Sequence, residues 1–151
     1  MKKILIAYYS HSGTTKRAAE KIHTITGGDI YEIKEQESYP RNYNAVVEQA
    51  KKEIAQGLKP ALKGDLPNIG TYDLVFIGSP NWWSTIAPPV STFLSSADFT
   101  GKTIIPFITH GGGGLNRTTS DIKKLTQGAK VLDGFDANKT DRIPEWLKTI
   151  I

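Results

Sequence analysis

A doubly wound α/β fold, an open parallel sheet with helices on both faces, is what this sequence predicts, and three observations predict it. Apolar runs of strand length alternate with stretches of helical period, giving the order β-α-β-α-β-α-β-α-β-α, and helical crossovers between strands belong to parallel sheets. The runs Ile4-Leu5-Ile6-Ala7-Tyr8-Tyr9 and Leu74-Val75-Phe76-Ile77 are almost continuously apolar, as strands covered on both faces must be. Three irregular stretches, 10–15, 79–84 and 109–114, each follow the carboxyl end of a strand, which is the edge where such sheets hold ligands.

The elements follow in order. Residues 3–9 read as the first buried strand. A helix from Gly13 or Thr14 to Thr26 carries Ala18, Ala19, Ile22 and Ile25 at helical spacing and stops at Gly27-Gly28. Residues 29–35 read as a more exposed strand suited to an edge. Ser38-Tyr39-Pro40 is a loop. The second helix spans Tyr43 to Leu58, with Tyr43, Val46, Val47, Ala50, Ile54 and Leu58 on one apolar face. Residues 59–71 form a surface connection, and 72–78 a strong third strand. Pro88-Pro89 opens a short helix, as proline does in a first turn, with Val90, Phe93 and Leu94 turned inward. Residues 102–108 form the fourth strand, 115–127 a helix, 130–132 the fifth strand, 136–139 a turn and 144–150 a closing helix with Trp146, Leu147 and Ile150 inward.

With 151 residues the chain is of ordinary single-domain length, so residues 1–151 are expected to form one domain. Cysteine is absent, which removes disulfides, thiol catalysis and thiolate metal ligands. No stretch reaches the roughly 20 apolar residues of a membrane span, and the apolar run after Met1-Lys2-Lys3 leads into a turn without a cleavage site. A cytoplasmic protein is expected. The formal charge is +4, but the basic residues are scattered, so solvated helix faces are the better reading than a nucleic-acid footprint. There is no Gly-x-Gly-x-x-Gly after the first strand and no Walker loop. No Gly-x-Ser-x-Gly elbow is present, and His11, His23 and His110 do not stand at metal-ligand spacing with carboxylates.

The three loops carry the chemistry that remains. Ser10-His11-Ser12-Gly13-Thr14-Thr15 joins a strand to a helix. Backbone N–H groups at a helix start, four nearby hydroxyls and the positive end of the helix dipole together suit a phosphate. The alternative is an ordinary capped turn. In the loop Ser79-Pro80-Asn81-Trp82-Trp83-Ser84, two adjacent tryptophans cannot both enter one core, and an indole face near the surface suits stacking on a flat conjugated ring. Thr109-His110-Gly111-Gly112 and the two glycines after it allow close backbone approach to a planar ligand. His110 could contact a ring edge or donate a proton.

Taken together, the chain resembles the short-chain flavodoxins over nearly its whole length. Ser10-x-Ser12-Gly13-x-Thr15 is similar to that family's phosphate loop for FMN. Residues Ser79, Pro80, Asn81, Trp82 and Trp83 stand where the family stacks an aromatic side chain on the isoalloxazine. Thr109, His110, Gly111 and Gly112 stand where it holds the pyrimidine end of the ring. The resemblance implies a flavodoxin-like sheet of five parallel strands in the order 2-1-3-4-5, with FMN bound by Ser10, His11, Ser12, Gly13, Thr14 and Thr15 and by the two later loops. It implies a low-potential electron carrier serving redox partner proteins, with no nucleic acid and no membrane. The alternative is an NAD(P)H-dependent flavin or quinone reductase using the same pocket. Three departures bear on the choice, the first being that familiar flavodoxins are acidic whereas this chain is basic overall. The third loop has glycines where the family carries an aromatic, and Asn81 stands as the candidate for the peptide that flips toward the flavin.

Overall fold

The structure is a computed structural model and describes residues 3–150. Its elements are β1 (Ile4–Tyr8), α1 (Thr14–Thr26), β2 (Asp29–Glu32), α2 (Tyr43–Gln56), β3 (Leu74–Trp82), β4 (Thr85–Ile86), α3 (Pro88–Ser95), β5 (Thr103–Thr109), α4 (Thr118–Leu125), β6 (Lys130–Val131), β7 (Phe135–Asp136) and α5 (Ile143–Lys148). Two 3₁₀ turns, Ile69–Thr71 and Thr140–Arg142, precede β3 and α5.

The sheet runs β2-β1-β3-β5, with β6 and β7 both pairing with the outer edge of β5. Every one of these ladders is parallel; Ile4 pairs with Leu74 and Tyr8 with Gly78, while Leu74 pairs with Thr103 and Pro80 with Thr109. If β6 and β7 count as one interrupted strand and the short β4 is set aside, the order is the expected 2-1-3-4-5. The period-2 alternation of the strands divides the core in two. Leu5, Ala7, Val75, Ile77 and Ile104 pack with Val46 of α2, Val90, Phe93 and Leu94 of α3 and Ile122 of α4. Ile6, Tyr8, Phe76, Ile105 and Phe107 pack on the opposite face with Ala18, Ala19 and Ile22 of α1 and Ile143 and Leu147 of α5. Each large apolar side chain so buried contributes about 1.5–3 kcal/mol. Among the described residues no helix is long and apolar enough to cross a membrane.

Besides smaller shifts and the end of β2, at Glu32 where 35 was expected, four boundaries differ from the sequence reading. β3 does not end at Gly78: it continues to Trp82 and returns through β4, with Asn81 opposite Ile86 and Trp82 opposite Thr85. Only Trp83 and Ser84 form the turn, at φ 54° and 72°, so both central residues of a two-residue hairpin are left-handed, the type I′ geometry whose twist matches antiparallel strands. The second difference is at Phe135–Asp136, which rejoins the sheet where a turn was expected; Phe135 stacks on Trp146 with ring centroids 4.2 Å apart. Third, α2 ends at Gln56, capped by Gly57 at φ 65°, which leaves Leu58 half exposed past the helix instead of on its apolar face. Fourth, α4 starts at Thr118, not Leu115.

Candidate functional site

The sheet order reverses between β1 and β3, and at the carboxyl ends of those two strands lies a cleft with about 850 Å³ of empty space, part of it open to solvent. The turn after β1 contributes His11, Ser12 and Thr15; the β3–β4 hairpin contributes Pro80, Asn81, Trp82 and Trp83; β5 ends in it at Thr109. These three segments are the stretches singled out in the sequence. The fourth wall was not foreseen. Val46, Val47 and Ala50 of α2 line the cleft, yet in the sequence they are part of an apolar stripe that also faces the core. Helical period alone cannot separate residues on a cleft from residues on a core.

The first turn is built to leave donors free. Gly13, at φ 97°, is the N-cap of α1, a left-handed position that glycine occupies without strain. Its N–H donates to Ser10 Oγ at 3.0 Å. The N–H groups of Thr14, Thr15 and Lys16 meet no acceptor among the described residues, and the first turn of α1 holds no acidic side chain. An anion is therefore favoured here by the open donors and by the dipole. Thr15 is buried, and its Oγ1 lies 2.7 Å from Oγ1 of Thr109, a bond that joins the first and third segments at the base of the cleft. Ser12 Oγ and Thr14 Oγ1 are 3.4 Å apart on the outer side of the turn.

The two tryptophans take different roles. Trp82 is held edge-to-face by three rings, with centroid distances of 5.7 Å to Tyr9, 5.3 Å to Tyr39 and 6.1 Å to His11. Trp83 is 43% exposed and reaches across the cleft to α2, where its Nε1 donates to the carbonyl of Val47 at 2.8 Å. Lys51 Nζ lies 5.1 Å from its ring centroid, within cation–π range. The phenols behind Trp82 are held neutral. Burial pushes the Tyr9 hydroxyl far above its ordinary value, with Glu35 adding to the effect. Burial does the same for Tyr39, helped by Glu53, whose Oε1 accepts the Tyr39 O–H at 2.5 Å.

Several expected residues lie outside the cleft. Ser79 is fully buried, and its Oγ accepts the Ala87 N–H at 3.0 Å while donating to the Pro80 carbonyl at 2.8 Å. It shapes the hairpin from behind. His110 is also occupied: its Nδ1 accepts the Gly112 N–H and its Nε2 faces Asp136 Oδ1, both at 3.0 Å. That pattern makes it the Nε2–H tautomer and leaves no ring nitrogen for a ligand. Ser10, Gly13 and Thr14 do not line the cleft, nor do the exposed Gly111 and Gly112. Asn81 is not left-handed, as a flipping peptide there would need. Its backbone pairs in the hairpin, and its Nδ2 donates to Gly114 O and Asn116 Oδ1, both at 2.7 Å. Its Oδ1 is buried without a partner. No group of acidic or histidine side chains among the described residues is arranged to hold a metal.

A parallel sheet of this order, with a donor-rich turn and two tryptophans meeting at its switch point, defines a doubly wound protein with a cradle for an anionic, ring-bearing ligand. The chain belongs to the flavodoxin family, whose match spans residues 3–150. It is similar to a candidate flavoprotein from Bacteroides eggerthii, with 36% identity, a TM-score of 0.89 and coverage of 99% of this chain and 98% of that one. A flavoprotein from Lactobacillus acidophilus, solved in complex with FMN, is 27% identical with a TM-score of 0.81, over 97% of this chain and 99% of that one. Oxidised flavodoxin 2 from Bacillus cereus, at 18% identity and a TM-score of 0.57 over 95% and 94% of the two chains, shares the fold.

Proposed function

We propose that the protein binds FMN in this cleft and carries electrons between redox partner proteins. The observation that carries this reading is that one cleft opens both onto the free donors at the start of α1 and onto the tryptophan hairpin. The FMN held by the Lactobacillus acidophilus relative supports the choice of cofactor. The phosphate is assigned to the open N–H groups of Thr14, Thr15 and Lys16 and to the hydroxyls of Ser12, Thr14 and Thr15, with Ser10 holding the turn through the Gly13 N–H. The ring system is assigned to the space between the hairpin and α2, with Trp82 or Trp83 against its face and backbone of 80–83 and Thr109 along its edge. When bound, the flavin supplies reversible electron uptake; the protein supplies orientation and control of access. Tyr9 and Tyr39 present neutral aromatic rings to Trp82. The formal charge of +4 suits partners with an acidic docking face.

A second reading, direct reduction by NAD(P)H, is favoured by one observation. Gly111, Gly112 and Gly113 are all exposed, and no aromatic side chain stands in that loop to cover a ring. An anaerobic visible spectrum of the FMN-loaded protein decides between the two. For a carrier, the flavin bands persist with NADPH alone and bleach only when a separate reductase is added. Bleaching by NADPH alone, within seconds, makes the protein a reductase. Failure to take up FMN removes the cofactor assignment itself.

A further inference from the structure

We infer that Arg17 is a cationic clamp for the flavin phosphate, which makes this protein select FMN over riboflavin by charge as well as by hydroxyls. The inference rests on the FMN reading given above. Arg17 sits one turn into α1, and its side chain, though exposed, turns toward the start of the helix. Its guanidinium folds back over the donor turn. Nη2 lies 3.5 Å from Thr14 Oγ1, and Nη1 would stand 3.8 Å from a Cβ built on Gly13. Both contacts place the positive charge above the residues that surround the open N–H groups of Thr14 and Thr15.

Among the described residues no carboxylate accounts for that posture. Arg17 makes no ion pair among the described residues, although three other cations do, Lys34, Lys124 and Arg142. Glu20, one turn further along the same helix, does not take it. The Thr14 hydroxyl is a weak partner at the limit of hydrogen-bond distance. An ordered cation costs side-chain entropy, and a hydroxyl contact of that length returns little. A phosphate in the turn would return much more, because guanidinium presents a planar fork of donors matched to phosphate oxygens. The first turn of α1 contains no carboxylate to compete for the guanidinium. Thr15 shares its hydroxyl with Thr109, and Gly13 has its N–H committed to Ser10. The turn therefore offers fewer free donors than its sequence promises, and Arg17 supplies the balance.

The test is a pair of fluorescence-quenching titrations, FMN and riboflavin, on the full chain and on Arg17→Gln and Arg17→Lys. For the wild type, FMN is expected to bind more tightly than riboflavin, and its affinity to fall with added salt. Arg17→Gln should weaken FMN about tenfold, the scale of one charge-assisted hydrogen bond at an exposed site. It should leave riboflavin unchanged and flatten the salt dependence. Arg17→Lys keeps the charge without the fork and should fall between. Equal FMN affinity in Arg17→Gln and wild type, or equal loss for both ligands, overturns the clamp while leaving the FMN reading intact. A wild type that quenches neither ligand overturns both. Arg17 is exposed, so the variants should fold as the wild type does, and matching thermal melts confirm that affinity alone has changed.

Discussion

Gly78 and Ser79 stand side by side on β3, both buried, and neither is replaceable for a reason visible only in three dimensions. A Cβ on Gly78 would lie 2.3 Å from Cζ of Phe107 and 2.9 Å from Cβ of Tyr8. Those neighbours belong to the packed face beneath α1 and α5, so they have nowhere to go. Gly78→Ala is expected to cost about 1–3 kcal/mol, the usual penalty of overpacking, read as a lower urea midpoint at constant m-value. Ser79→Ala acts differently. It fits sterically but takes the acceptor from the Ala87 N–H, at a residue that is itself fully buried. An orphaned buried donor costs about 1–3 kcal/mol, and the same unfolding experiment measures it. Ser79 lies next to Pro80 on the cleft wall, and in the sequence nothing separates a serine that faces a ligand from one that faces a backbone amide. The distinction comes from strand alternation, and that alternation was hidden while 79–84 read as a loop.

The hairpin shows why an element can be misread while its neighbours are legible. Ser79-Pro80-Asn81 has the composition of a turn, and β4 is only two residues long, too short to show period-2 patterning. The pairing partner that extends β3 is therefore invisible in one dimension. By contrast α1 has thirteen residues and a clear apolar stripe, and its bounds were legible from Thr14 to Gly27. β7 was missed for the same reason as β4, being two residues that join the sheet through tertiary pairing with Phe107 and Ile108. The hairpin is also braced from outside. Ser84 O accepts the Arg117 N–H at 2.9 Å, and Asn81 ties it to the loop before α4. Its two left-handed residues are not glycine or asparagine, the residues that adopt that region cheaply. Ser84→Gly is thus expected to stabilise the protein by about 0.5–1 kcal/mol, since the relief of a left-handed side chain exceeds the added entropy of the unfolded chain. A raised thermal midpoint with unchanged FMN affinity is the expected result; a lowered midpoint would mean that Ser84 earns its place through its side chain.

At the scale of the whole molecule, the alternation of strands and helices made the fold legible, because it reports burial on both faces of a sheet. The electrostatic state of the core was not legible, because it depends on which carboxylates the fold brings near which phenols. Tyr8, under α1, is pushed up to about 12, by burial first and then by Glu32 and Glu20. On the other face Tyr9, Tyr31, Tyr39 and Tyr72 are all raised above the ordinary 10.0, with burial the leading cause in each. The consequence is global. Below pH 10 both folded and unfolded chains keep these protons, and the shifts do not alter stability. Above it the unfolded chain releases protons that the folded chain retains, so unfolding gains free energy with every further rise in pH. Stability should therefore decline from about pH 10, with the Tyr8 contribution fully lost only above about pH 12. Followed by ultraviolet absorbance, the tyrosinates of these five residues should appear in one steep step that coincides with the loss of circular dichroism. Tyr8→Phe removes one of the linked protons, so its alkaline midpoint should move upward relative to its stability at neutral pH. A gradual tyrosine titration centred near pH 10, with the circular dichroism intact, would show that the phenols reach solvent and that both faces of the sheet are more open than their packing indicates.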